Sequence, residues 1–437
     1  METNKLVLEI KNINYWKSFY SFFKRLFSFF DKMPKELIPE EDEFSIKIDN
    51  QVNLSFGTFP TINFESLIKN NIKTIITWPE YLALSNNVIF LSAVGTVFKD
   101  KNNSHLNNNY LRATARILYE KSNYSFKFKK NFTFDQYKLV ENYIYSDDLL
   151  FVVKAPIYNL EIEQKVIKIE DKIYLKKIEE SDLNLFNPSF TSFGFGMDSY
   201  LSECKTLIET EEKIKKGEPF TVSVDTIKSI NRVISSLCVY KKNNFGIGPI
   251  FSKPKNFWSI FTGTHSSYTP NETYINYKKS TFEKKDIKLF RIFWGKYTNS
   301  AKMNLWLDLA EKRLLRMFYK MRIEDQIVDI MTIFEMLFLP EEDSELKYRL
   351  SIRGAILLGK SYEEKINIYK IFRVSYNIRS SIVHNGFISK ENNKQLEKLK
   401  MNLNELCEKL QYYLFKSIEI FTKNPDIRNK FEDIIFR

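Results

Sequence analysis

Histidine and cysteine are scarce in this chain, with three of each in 437 residues, and glycine and proline number only 12 each. Cys204, Cys238 and Cys407 form no close pair, and their odd number argues against a disulfide framework. The simplest setting is a reducing cytoplasm. No cysteine–histidine series has metal-ligand spacing, so neither a metal nor a cofactor is expected. No glycine-rich loop suits a nucleotide phosphate, and no internal repeat is present. The chain lacks any run approaching eighteen apolar residues, so no membrane-spanning helix is expected. Its start, METNKLVLEIKN, lacks the basic, apolar and small-residue order of a signal peptide.

At 52.1 kDa the chain exceeds one ordinary core, and two or three domains are expected. A hydrophobic fraction of 43% with 15% aromatics excludes a disordered protein. Lys and Arg number 66 against 54 Asp and Glu, a net +12 that suits a nucleic-acid partner modestly. Residues 301–437 carry 24 basic and 20 acidic side chains, so the excess is spread out. No domain is a strongly basic clamp.

The pattern along the chain predicts an α+β protein, with a β-rich region at 1–297 and a helical domain at 298–437. A subdivision of the first region falls near 130–150. Residues 13–31 interleave nine aromatics with Lys17, Lys24 and Arg25. Packing on the protein's own core or on a partner is expected there, ahead of a membrane-surface role. Ser45–Phe59 alternates like a hairpin with a turn at Asp49-Asn50, and Asn87–Phe98 reads as strand. Lys101–Tyr110, rich in asparagine, reads as a loop. Asp148–Leu183 is the clearest β segment, with a turn at Glu170-Asp171, and Thr221–Phe261 also reads as strands. Helical periodicity then predicts Met303–Met321, Ile323–Leu339, Leu346–Leu358, Tyr362–Asn385 and Leu403–Phe421. Ser361 and Glu364 form a capping-box pattern for the fourth of these, and Gly386 suits a left-handed cap at its end.

That fourth helix ends in YNIRSSIVHNG, Tyr376 to Gly386. Histidine exchanges protons near neutral pH, and an arginine beside it suits a negatively charged group, phosphate above all. On a helical wheel Arg379 falls in the middle of an apolar arc with Phe372, Tyr376 and Val383, while His384 lies about 140° away. A charge inside an apolar stripe needs a partner. Glu335, set among Val328, Met331 and Phe338 on the second helix, is the expected one, with Arg349 and Arg353 as competitors for its carboxylate. An ion pair that only holds the bundle together is the plainer reading of the same residues. Arg379 and His384 lie roughly 7.5 Å apart along the axis, so one rigid helix does not bring them onto one atom. Two copies packed about a two-fold axis would.

RSSIVHNG, with Arg379 and His384, resembles the arginine–four–histidine signature of HEPN domains. IEDQIVDIMTIFEMLF and LKYRLSIRGAILLG resemble the second and third helices of the branch found in abortive-infection, anti-phage proteins of the ApeA kind. The likeness covers about residues 300–425, and Asn159–Leu183 resembles the β-rich segment upstream in such proteins. The resemblance implies a helical homodimer and a metal-independent RNA endonuclease. Arg379 and His384 would be its catalytic pair, Glu335 the acid of the second helix, and Ser380 the polar position where active members often carry Asn, Asp or His. Cleavage would proceed by 2′-hydroxyl attack, with a transfer RNA or another structured RNA as substrate. A phage component as trigger and no membrane partner complete the expectation. A non-catalytic RNA-binding or regulatory HEPN dimer is the alternative.

Overall fold

The aromatic run near the N-terminus becomes a helix packed on the protein's own core. The computed structural model describes residues 10–48, 54–86, 104–179, 182, 204–216, 222–255, 265–267, 278–318, 320, 322–340 and 345–431. In it, α1 (Ile13–Asp31) buries Tyr15, Trp16, Phe19, Phe22, Phe23, Phe27 and Phe30. The Asn12 side chain caps the helix by accepting from the Tyr15 N–H at 3.0 Å. Buried Glu141 accepts from the backbone N–H groups of Lys11 and Asn12 at 2.7 and 3.0 Å, and from the Tyr137 hydroxyl at 2.9 Å. One carboxylate thus anchors the start of α1 to the helix that carries it.

β1 (Glu40–Ile48) and β2 (Leu54–Ile62) form the expected hairpin. Ile48 pairs with Leu54, so the connection spans 49–53, longer than a turn at Asp49-Asn50 and outside the described residues. α2 (Phe64–Ile75), α3 (Pro79–Ser85), α4 (Ser104–Lys121) and α5 (Lys130–Tyr145) follow. The strand expected at Asn87–Phe98 lies outside the described residues. The loop expected at Lys101–Tyr110 is corrected: from Ser104 it is helix. Asparagine disfavours a helix interior by well under about 1 kcal/mol, and burial of Ala115 and Leu118 further along outweighs it.

The next strands are β3 (Asp148–Ile157), β4 (Leu160–Ile162), β5 (Val166–Glu170), β6 (Ile173–Lys177) and β7 (Thr206–Lys215). α6 (Val224–Lys241), β8 (Ile250–Pro254), β9 (His265–Ser267) and β10 (Ser280–Phe282) come next. Six strands pair antiparallel in the order β5-β6-β7-β3-β8-β9, and β4 and β10 make a short parallel pair. Glu170 pairs with Ile173, which moves the β5–β6 turn to Asp171-Lys172, with Lys172 at φ +64°. The reading of Thr221–Phe261 as strands is corrected over α6. Its β-branched residues suggest strand, yet Ile230, Val233, Ile234, Leu237 and Cys238 are buried at helical spacing, and Ser223 caps the start.

Helices fill the rest: α7 (Asp286–Met303), α8 (Leu305–Phe318), α9 (Ile323–Phe338), α10 (Leu346–Leu358), α11 (Tyr362–Asn385), α12 (Lys390–Lys398) and α13 (Leu403–Lys423). The whole is a mixed α/β protein, mainly helical. The helix expected at Met303–Met321 begins at Leu305, after Asn304 turns extended and its side chain donates to the Ser300 carbonyl at 2.9 Å. α7 spans position 297/298, where the sequence pattern suggests a division.

Among the described residues most buried apolar side chains fall into two clusters. One runs from Tyr15 to Phe151, and the other from Val153 on β3 to Phe431. The second joins sheet and helices in one core, since Val153 and Ile208 belong with Phe334, Phe372 and Leu414. Arg232 on α6 reinforces the join, donating to Asp308 at 2.7 Å and Glu311 at 3.1 Å on α8.

Candidate functional site

The site is built where α9 and α11 cross inside this second core. α9 buries Ile327, Ile330, Met331, Phe334, Leu337 and Phe338, and Glu335 flanks that stripe. α11 buries Ile368, Ile371, Phe372, Ser375 and Ile378. Phe334 and Phe372 meet with ring centroids 4.7 Å apart, which sets the distance between the two helices. α10 approaches closely at Gly354, where an added Cβ would stand 2.8 Å from the Phe372 ring.

Glu335 and Arg379 come together as the sequence suggests. Arg379 Nη2 donates to Glu335 Oε2 at 3.3 Å, with side chains 24% and 21% exposed. Of the two competitors, Arg353 lies elsewhere: it donates to the Phe338 carbonyl at 2.7 Å and stands over the Phe431 ring. Arg379 Nε is buried and has no hydrogen-bond partner among the described residues. Burial raises the Glu335 carboxyl above its ordinary pKa, and the opposing pull of Arg379 and then Arg313 is smaller. Desolvation therefore outweighs attraction at this pair. Tyr376 stands close enough to share the field, raised by its own burial and by Glu335.

Arg379 does not occupy the middle of the apolar arc, as its helical-wheel position suggests. Val383 is 51% exposed, so the buried face of α11 is centred toward Ile378 and Ile371, and Arg379 sits on its edge. From there the guanidinium reaches Glu335 while keeping some contact with solvent. That is a better place for a charge than the centre of the stripe.

Ser361 accepts from the Glu364 N–H at 3.2 Å, but the Glu364 carboxylate accepts from Lys360 rather than closing the reciprocal box. Gly386 ends the helix at φ +79°, as expected. His384 is exposed in the last turn and makes no hydrogen bond with Arg379 or Glu335, and half-buried Ser380 has no side-chain hydrogen bond among the described residues. One chain thus joins Glu335 to Arg379 and leaves His384 and Ser380 apart from them.

Several supporting residues escaped the sequence reading. Ser381 Oγ donates to the Phe387 carbonyl at 2.8 Å and accepts from the Ser389 N–H at 3.2 Å, fixing the turn that follows His384. Asn392 on α12 donates to the Asn377 carbonyl at 3.2 Å, and the Asn377 side chain donates to Gln395 at 3.1 Å. Serine and asparagine at such spacings are too common to single out; the small helix α12 makes them matter. Among the described residues no group of three or more His, Cys, Asp or Glu is placed to hold a metal, and no helix is long and apolar enough to cross a membrane.

The arrangement can orient a cation toward an anionic group and offers a proton carrier one turn further on. Comparison of the chain with protein-family models, curated proteins and solved structures finds no match.

Proposed function

We propose that this protein is a HEPN-type RNA endonuclease acting in anti-phage defence by abortive infection. The observation that carries the reading is the Arg379–Glu335 pair at the end of a glycine-stopped helix, with exposed His384 five residues on. Arg379 keeps its fork orientation through Glu335 and presents donors to a phosphate. His384 is exposed on the last turn of the same helix, where a substrate can reach it.

RNA carries its own nucleophile. A base removes the proton from the 2′-hydroxyl, the 2′-oxygen bonds to the adjacent phosphorus, and the bond to the 5′-oxygen breaks as that oxygen takes a proton. The products are a 2′,3′-cyclic phosphate and a 5′-hydroxyl, and no metal is needed for this route. Arg379 stabilises the charge that builds on the phosphate oxygens. Since His384 and Arg379 diverge on one helix, a homodimer supplies the second histidine and completes one cleft. The helices of the second core would be the HEPN bundle, and the sheet and N-terminal elements would sense a trigger or position the RNA. A cytoplasmic setting with a structured RNA such as tRNA as substrate fits this role.

The exposure of His384 and its separation from Arg379 also suit a non-catalytic RNA-binding or regulatory dimer. End-group analysis of total RNA incubated with the protein in EDTA separates the two. Cleavage with cyclic phosphate ends that His384→Ala reduces by about 10²–10⁴ supports the nuclease. Binding without cleavage, or equal cleavage by His384→Ala, rejects it.

A further inference from the structure

Glu335 faces more than Arg379. It also lines a cleft of about 410 Å³ walled by Trp306, Leu309, Met336 and Leu346, with Arg428 at its side. The Arg428 guanidinium lies 4.9 Å from the Trp306 ring and donates to the Met336 carbonyl at 3.1 and 3.2 Å. Phe421 stands edge-on to the same indole at 5.6 Å. The aromatic wall is therefore held in place before anything binds.

Glu335 and Trp306, both lining this cleft, each carry a polar atom with no hydrogen-bond partner among the described residues. Glu335 Oε1 accepts nothing, its neighbour Oε2 being the atom that Arg379 reaches, and the Trp306 indole N–H donates to nothing. Neither atom is among the buried polar atoms without a partner, so both stay open to solvent or to a ligand. The lining mixes apolar side chains with a carboxylate, an indole and a guanidinium, and a volume from about 300 Å³ suits a small molecule.

We propose that this cleft binds a guanine base. A carboxylate only accepts, and guanine alone among the RNA bases presents two adjacent donors, the N1–H and the exocyclic amino group. Adenine and cytosine each set an acceptor beside their amino donor, and uracil flanks its single N–H with two carbonyls. Those arrangements turn lone pairs toward Glu335, which is costly in a partly desolvated place. Guanine also carries ring and carbonyl acceptors for the Trp306 N–H. The base could belong to an RNA chain or to a free guanine nucleotide. Either way its binding engages the carboxylate that holds Arg379, so guanine recognition and the arginine are linked. Binding stands apart from the proposed nuclease activity, and only the cleavage-site arm of the test rests on that reading.

The test uses the full chain in EDTA, titrated calorimetrically with GMP, AMP, CMP and UMP. GMP should bind at least about tenfold more tightly than the others. Leu309→Trp, a change at an exposed rim position, should abolish that binding by filling the cleft, and Glu335→Gln should erase the preference because an amide offers a donor where guanine also donates. Absence of GMP binding, equal binding of all four, or GMP binding that survives Leu309→Trp overturns the proposal. If RNA supplies the base, cleavage sites should sit at a fixed offset from guanine, and Leu309→Trp should lose that preference while still cutting. If the free nucleotide is the ligand, sites should ignore guanine and GMP should change the rate. GMP binding without any RNA cleavage keeps the cleft assignment and rejects the nuclease, whereas cleavage without GMP binding does the reverse.

Discussion

Arg379 Nη2 and Glu335 Oε2 meet at 3.3 Å between α11 and α9, and the carboxyl is raised rather than lowered by its surroundings. Burial dominates at this pair, so its value lies in orientation more than in net stability.

Glu335→Gln should therefore change stability little while reducing RNA cleavage, because the amide keeps the shape and drops the charge. Glu335→Ala should cost about 1–3 kcal/mol by leaving the guanidinium without its partner. Urea unfolding beside cleavage rates separates the two effects. A large loss of stability in Glu335→Gln would show that the pair mainly holds the fold.

Glu335 and Glu141 should contribute to the pH dependence of stability in opposite senses. Glu335 is raised in the folded state, so it favours folding less as pH climbs from the ordinary carboxylate range through its folded value. Glu141 behaves in the other sense. Burial opposes its ionisation, but donors from Lys138, Tyr137 and Asn12 together prevail and lower it. Its stabilisation is present above the unfolded value of 4.5 and is lost as pH falls through the lower folded value. Melting curves from pH 7 to pH 3 should fall less steeply for Glu141→Gln than for the parent, and equal slopes would remove Glu141 from the account.

Gly386→Ala tests the helix stop alone. Nothing lies within 4 Å of the added Cβ, so the expected cost of about 1–2 kcal/mol comes from the left-handed backbone at φ +79°. Hydrogen exchange should quicken around Ser381 and Ser389, whose hydroxyl and amide tie the turn. Gly354→Ala should destabilise through a different cause, its Cβ meeting the Phe372 ring at 2.8 Å, and about 1–3 kcal/mol is expected. Unchanged melting in either variant would contradict the corresponding cause.

Assembly is the demanding prediction. Val383 and Phe387 are 51% and 65% exposed beside His384, which suits contact with a second copy. Val383→Glu combined with Phe387→Glu should give a folded monomer that no longer cleaves RNA. Sedimentation of an active parent protein as a monomer would remove the dimeric cleft from the mechanism.

Local signals in the sequence were enough to read α10 and α11 to the residue, because their apolar spacing, the Ser361 cap and the Gly386 stop act within a few positions. The strand character of the β3–β6 segment was also legible, clearest in the alternation of β5, though its turn falls one residue later than expected; Glu335 as partner of Arg379 was legible because a charge on an apolar face demands one. Burial decided the rest. α6 and the start of α4 are helical because packing outweighs β-branched and asparagine preferences worth only fractions of a kcal/mol per residue. α12 shows no apolar stripe of its own, and it is placed by Asn392 and Leu396, which find partners only in the folded chain. The tertiary structure also put Arg379 at the edge of its stripe and set Trp306, Glu335 and Arg428 around one cleft. Residues that far apart along the chain share no local pattern, and only the packing of α8, α9 and the C-terminal segment brings them together.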